Sequence, residues 1–150
     1  MDNKRNKLNK NVMGAAGEHF VTAELLRRGF VAATLYSCAK DYDILAYHPK
    51  TETNLKIQVK TSQEKSTSWK IGKKPPIFDD NTFYIFVTLV DLESPIYYIV
   101  PSKIVHERAE ARHNTPKKNG LSRSDERKFI IEKNEVNDFK NNWQMLVKKN

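Results

Sequence analysis

The sequence predicts an α/β fold, a β-sheet with helical cover on its faces, and three observations predict it. An apolar spacing of helical period opens the ordered part of the chain at residues 13–29. Short alternating and continuous apolar segments then follow one another across residues 30–100 with turn residues between them. A second pair of helical stretches closes the chain after residue 102, so strands are bracketed by helices.

The first helix is expected over Met13 to Gly29. Ala16, Phe20 and Ala23 recur at helical spacing, Val21 and Leu25 form a second apolar row, and Gly29 supplies the stop. Glu18 stands three positions before Val21 and seven before Leu25, so it shares their side of the helix. Phe30 to Tyr36 reads as a strand. Asp43 to Ala46 and Leu55 to Thr61 read as the arms of a hairpin around the polar stretch His48 to Asn54. Ser62 to Asp80 is polar, carries Trp69, Gly72, Pro75 and Pro76, and reads as a loop with some extended structure. Phe83 to Val90 is nearly continuous in apolar residues and suits a strand covered on both faces. Glu93-Ser94-Pro95 is a turn before the strand Ile96 to Val100. Lys103 to His113 is a helix with Ser102 as its expected cap. Asn114 to Glu126 reads as a loop, Phe129 to Ile131 as a short strand, and Glu135 to Val147 as a final helix with Val136, Phe139, Trp143 and Leu146 at spacings of three and four.

A chain of 150 residues fits one domain with one sequence-continuous core region, residues 13–150, behind a basic and flexible tail at residues 1–12. No apolar run approaches the ~20 residues that span a bilayer. The basic start of the chain is not followed by an apolar stretch, so no secretory signal is expected. Cys38 is the single cysteine, which excludes an internal disulfide and a zinc pattern and fits a reducing cytoplasm. His19, His48, His106 and His113 show no metal-ligand spacing. The formal charge is +8, and two segments carry most of it: residues 1–12, with Lys4, Arg5, Lys7 and Lys10 against Asp2, and residues 112–128, with Arg112, Lys117, Lys118, Arg123, Arg127 and Lys128 against Asp125 and Glu126. Basic segments of this kind favour polyanions through counterion release, and they also serve as solvated surface charge.

The hairpin carries the chemistry. At period two, Ile57 and Val59 take one face of the second arm while Gln58 and Lys60 take the other. Asp43 enters the first arm where Gln58 and Lys60 leave the second, so antiparallel pairing gathers a carboxylate, an amide and an amine at one edge. Such a group suits a divalent cation beside a phosphate.

With these residues in place, the chain resembles the PD-(D/E)XK nuclease superfamily. The resemblance lies in Gly17-Glu18-His19-Phe20-Val21, in Tyr42-Asp43-Ile44 and in Gln58-Val59-Lys60. The helix ending in Arg28-Gly29-Phe30 is similar to the archaeal Holliday-junction-resolvase branch and to related bacterial restriction-type proteins. The resemblance covers residues 14–62, with two departures: Tyr42 stands for the family's proline and Gln58 for its second acid. It implies a restriction-endonuclease-like mixed β-sheet flanked by helices, an αβββ core followed by further strands and helices. It also implies a metal-dependent DNA endonuclease, with Mg2+ or Mn2+ held by Asp43, Gln58, the Val59 carbonyl and Glu18, and with no small-molecule cofactor. Lys60 would stabilise developing charge or orient the attacking water. DNA is the implied partner, a homodimer the implied assembly, and no membrane is involved. Lys73, Lys74, Lys117, Lys118, Arg123 and Arg127 are candidate phosphate contacts, with Trp69 as a stacking aromatic. The alternative is a non-catalytic nucleic-acid-binding module on the same fold.

Overall fold

The computed structural model describes residues 7–36, 41–119 and 124–147, so Cys38 and Arg123 lie outside the described residues. The first helix, α1 (Lys10–Arg27), starts inside the stretch expected to be tail. Asn9 is the reason: its side chain accepts the Asn11 amide at 2.9 Å and caps a helix that the apolar spacing alone would begin later. At the other end Gly29 adopts a φ of 88°, which closes the helix in the left-handed region. The buried row is Gly17, Val21 and Leu25, while Phe20 and Ala23 from the other expected row face outward.

Ten residues in one strand organise the rest. β1 (Val31–Thr34), β2 (Ile44–His48) and β3 (Thr53–Ser62) form an antiparallel meander, and β3 then pairs in parallel with β5 (Thr82–Thr88), which pairs antiparallel with β6 (Ile96–Pro101). The sheet order is β1-β2-β3-β5-β6, a mixed sheet, as expected. A parallel pair needs a long crossover. Here the crossover contains β4 (Ser68–Gly72), which the sequence reading took for loop, and β4 pairs antiparallel with β7 (Arg127–Ile130) to form a separate two-stranded ribbon. Its pairing partner lies more than fifty residues away, so local sequence does not announce it.

The central strands separate two cores. On the α1 face, Val21 and Leu25 pack on Ile44, Leu55, Ile57, Val59 and Ile85. On the opposite face, Tyr84 and Phe86 pack with Trp69, Phe129, Val105 and Phe139 under the ribbon and α2 (Ser102–Asn114). All seven residues of β5 are buried, which explains why its sequence is nearly unbroken in apolar character. Each fully buried Ile or Leu here contributes about 1.5–3 kcal/mol of transfer free energy.

Two local expectations change. Ser102 is the first helical residue of α2 and not its cap; its hydroxyl donates to the Asp79 carbonyl at 2.7 Å, tying the preceding loop to the helix. The expected helix Glu135 to Val147 is broken into α3 (Val136–Phe139) and a 3-10 turn over Trp143–Leu146. Between them Asn141 adopts a φ of 52°, its amide donates to the Tyr97 carbonyl at 2.7 Å, and its side-chain oxygen accepts the Tyr97 amide at 3.3 Å. The chain thus turns round the edge of β6. Phe139 enters one core, while Trp143 and Leu146 enter the other. A continuous helix would have put all three on one face. Among the described residues no helix is long and apolar enough to cross a membrane.

Candidate functional site

Asp43 sits just before β2 and is held by the strand opposite. Its amide donates to the Ile57 carbonyl at 2.8 Å, and its Oδ2 accepts the Val59 amide at 2.7 Å and the Gln58 side-chain amide at 2.5 Å. The carboxylate therefore closes the ladder where β2 has not yet begun. Residues 56 and 62 direct their backbone groups to the β5 side, through Lys56 amide to Asn81 carbonyl and Leu89 amide to Ser62 carbonyl. By alternation Val59 directs its amide and carbonyl to the β2 side, where Asp43 takes the amide. A carboxylate only accepts, so the contacting Gln58 atom is its NH2 group, and the amide oxygen takes no part in this bond.

Gln58 and Lys60 share a face of β3, opposite Tyr84 and Phe86 of β5 in the parallel register. Glu18 reaches this end of the strand because α1 crosses β3 at very short range. A β-carbon placed on Gly17 would lie 1.9 Å from Thr61 Oγ1. A larger residue there needs the Thr61 side chain or the helix to shift. The buried Thr61 hydroxyl has no hydrogen-bond partner.

Each of the three ionisable groups is pushed toward its neutral form. Burial raises the Glu18 pKa above 4.5, and the neighbouring Asp43 charge raises it further while His19 and Lys60 oppose. Burial also raises Asp43 above 3.8, against the Val59 amide and Lys60, which favour its ionised form. Burial lowers Lys60 below 10.5, and Lys10 adds to this while Asp43 and Glu18 oppose. Desolvation is the largest cause for all three, and mutual charge couples them. Tyr84 beside them is pushed up to about 12, chiefly by burial. Perturbed groups of opposite sign gathered at one strand end make this the candidate functional site.

The donor set is two carboxylates, a side-chain amide oxygen and a backbone carbonyl. All are hard oxygen donors, which fits a magnesium-like cation. Among the described residues no three His, Cys, Asp or Glu side chains gather as a metal cage.

The basic candidates divide. Lys73 and Lys74 are exposed in the loop after β4, and Lys117 and Lys118 are exposed beyond α2. Arg127 turns inward. Its guanidinium is taken by Glu110 and by the Lys73 carbonyl, and its side chain is 11% exposed, so it clamps the ribbon. Trp69 is buried against Phe86 and Tyr98 at ring-centroid distances of 4.8 and 5.3 Å and does not offer a stacking surface. Sequence reasoning missed Lys10 and Lys70. Both line a groove of about 610 Å³ that runs from Val59 and Lys60 along β4. Asn9 as a helix cap was the available signal for Lys10; for Lys70 there was none.

No protein-family model matches the chain, and no curated protein matches it. Solved structures do. A bacterial homing endonuclease aligns over 94% of this chain and 93% of its own with a TM-score of 0.57 at 15% identity. The Holliday junction resolvase Hjc of Archaeoglobus fulgidus, an archaeal hyperthermophile, aligns over 78% of this chain and 83% of its own with a TM-score of 0.44 at 15% identity. The first of these likenesses spans nearly both chains, and at this identity it shows the fold: a mixed five-stranded sheet flanked by helices, of the nuclease-like kind.

Proposed function

We propose that the chain is a metal-dependent DNA endonuclease, acting on phosphodiester bonds at the end of β3. The observation that carries this reading is the electrostatic coupling of Glu18, Asp43 and Lys60, each partly desolvated, at the end of β3 where the Asp43 carboxylate takes the Val59 amide. The homing-endonuclease likeness supports it at the level of fold. Glu18, Asp43, Gln58 and the Val59 carbonyl are the residues that would hold Mg2+ or Mn2+. When bound, such an ion supplies Lewis acidity and a more acidic water.

The chain's own residues do the rest. Gln58 fixes the Asp43 carboxylate by hydrogen bonding at 2.5 Å without adding a like charge. Lys60, its charged form disfavoured by burial, stabilises the negative charge that builds on a non-bridging phosphate oxygen in the transition state, or orients the attacking water. DNA is the proposed substrate, and a homodimer acting on two strands is the proposed assembly.

The test is cleavage of plasmid, linear duplex and four-way DNA with Mg2+ or Mn2+, comparing wild type with Asp43→Ala and Lys60→Ala. Each substitution is expected to lower the rate by ~10²–10³. Wild-type activity no higher than that of the double variant would sink the reading. One observation favours a second reading, a non-catalytic DNA-binding module: only two carboxylates meet at the site. It predicts salt-sensitive binding indifferent to metal, and metal-dependent turnover lost in Asp43→Ala excludes it.

A further inference from the structure

The β4–β7 ribbon carries an arrangement that folding does not ask for. Lys70 and Lys128 are direct cross-strand partners, and both are exposed on the outer face of the ribbon. Like charges in that position oppose each other and destabilise the pairing. The inner face explains the ribbon's stability without them: Trp69 and Phe129 are also cross-strand partners, both are buried, and Phe129 stacks on Phe86 at 5.0 Å. From below, Arg127 fixes β7 to α2 through Glu110 and to the chain after β4 through the Lys73 carbonyl. The ribbon's register therefore holds the two outward lysines side by side although its core does not require them.

Their surroundings extend the same sign. The active-site groove reaches from Lys60 to Lys70 and ends at Glu126. A second cleft of about 150 Å³ begins at Glu126 and is lined by Arg112, Lys117 and Lys128. Glu126 pairs with Lys70 at 3.2 Å, and Lys128 has no ion-pair partner among the described residues. Cations thus line both clefts, from Lys60 and Lys70 to Lys128 and the end of α2, with Glu126 shared by the two and Glu64 in the first.

We infer that the outer face of the β4–β7 ribbon is a docking surface for the sugar-phosphate backbone of duplex DNA, with Lys70 and Lys128 as its paired phosphate contacts and Arg112 and Lys117 as its far end. The inference rests on the reading of DNA as substrate, but concerns binding alone. A phosphate between Lys70 and Lys128 turns their mutual repulsion into shared attraction. Because neither lysine faces a base-reading helix or strand, the contact positions a duplex without selecting sequence.

The experiment measures binding of wild type, Lys70→Gln, Lys128→Gln and the double variant to a short fluorescent duplex in EDTA, across a salt series. Thermal unfolding is followed in parallel. The double variant is expected to bind at least ~10-fold more weakly at low salt. Its slope of log affinity against log salt should be shallower by roughly two, about one phosphate contact per lysine. Its Tm should be equal to or higher than wild type, because the cross-strand repulsion is gone. Lys50→Gln, in the turn at the opposite end of β3, should leave slope and affinity unchanged. A double variant with the wild-type slope overturns the inference, and so does an equal loss in Lys50→Gln, which would mean unspecific charge. Ribbon-dependent binding without any cleavage would count against the nuclease reading and leave this one standing; cleavage lost in Asp43→Ala with a ribbon-independent slope would do the reverse.

Discussion

The end of β3 and the outer face of the β4–β7 ribbon are both charged, yet they solve opposite problems. At the strand end, groups of both signs are partly buried, so each is shifted toward neutrality and each depends on the others. On the ribbon, like charges face one another in water, where screening keeps their conflict small. The first arrangement needs backbone precision, namely a carboxylate taken up by the Val59 amide and a helix pressed onto Thr61. The second needs only register. The partly buried cluster is built into the frame, whereas the exposed one is laid on top of it.

Substitutions at the strand end should therefore disturb folding, and those on the ribbon should not. The largest effect on stability is expected for Gln58→Glu. It replaces the donor that faces Asp43 at 2.5 Å with a third acid, and should cost ~1.5–3 kcal/mol in the absence of divalent metal, the scale of a hydrogen bond to a charged group. The same variant should gain more Tm on adding Mg2+ than wild type does, since ligand binding to the folded state adds stability. Equal metal-induced shifts in the two proteins would argue that this position does not face the cation. Gly17→Ala follows. Its β-carbon meets Thr61 Oγ1, and overpacking of this kind costs ~1–3 kcal/mol, or roughly 2–4 °C of Tm per kcal/mol for a chain of this size. Cleavage should fall as well, because the helix that carries Glu18 must lift; an unchanged Tm would show that α1 does not need its close approach.

Glu18→Gln is the smallest and has the opposite sign. The folded state raises this carboxyl's pKa above 4.5, so it holds its proton to higher pH than the unfolded chain does. Stability is therefore lost as pH rises from about 4.5 through the folded pKa, and the deficit remains at pH 7. Removing the charge should raise stability at pH 7 and change nothing below pH 4, measured as Tm against pH without metal. A variant no more stable than wild type at pH 7 would mean that the Glu18 carboxylate is not strained by its neighbours.

The same contrast explains what the sequence revealed. Glu18, Asp43, Gln58 and Lys60 were legible because strand alternation and helical spacing are local rules, and the site is built from one helix and one hairpin. The mixed sheet with helical cover was legible for the same reason. Of the ribbon, β7 was legible as a short strand, but β4 and their pairing were not, since β4 carries Gly72, is followed by two lysines and finds its partner only at β7. Nor was the break at Asn141: the apolar spacing of Val136, Phe139, Trp143 and Leu146 is helical, and only the edge of β6 redirects it. Arg127 misled as a surface cation because its acceptors, Glu110 and the Lys73 carbonyl, come from distant positions in the chain.

The turn of the chain around β6 has one more consequence. A five-stranded open sheet has two outer strands, and each exposes a row of unpaired backbone groups that invites foreign strands. Here Lys140 bridges to Tyr98 and Asn141 answers both backbone groups of Tyr97, so the β6 border is already occupied. Among the described residues nothing pairs with the outer side of β1. The sheet can thus be extended from one side only. Cutting the chain after Phe139 would reopen the other border beside the most apolar strands of the molecule, and aggregation would follow before the end of β3 was disturbed.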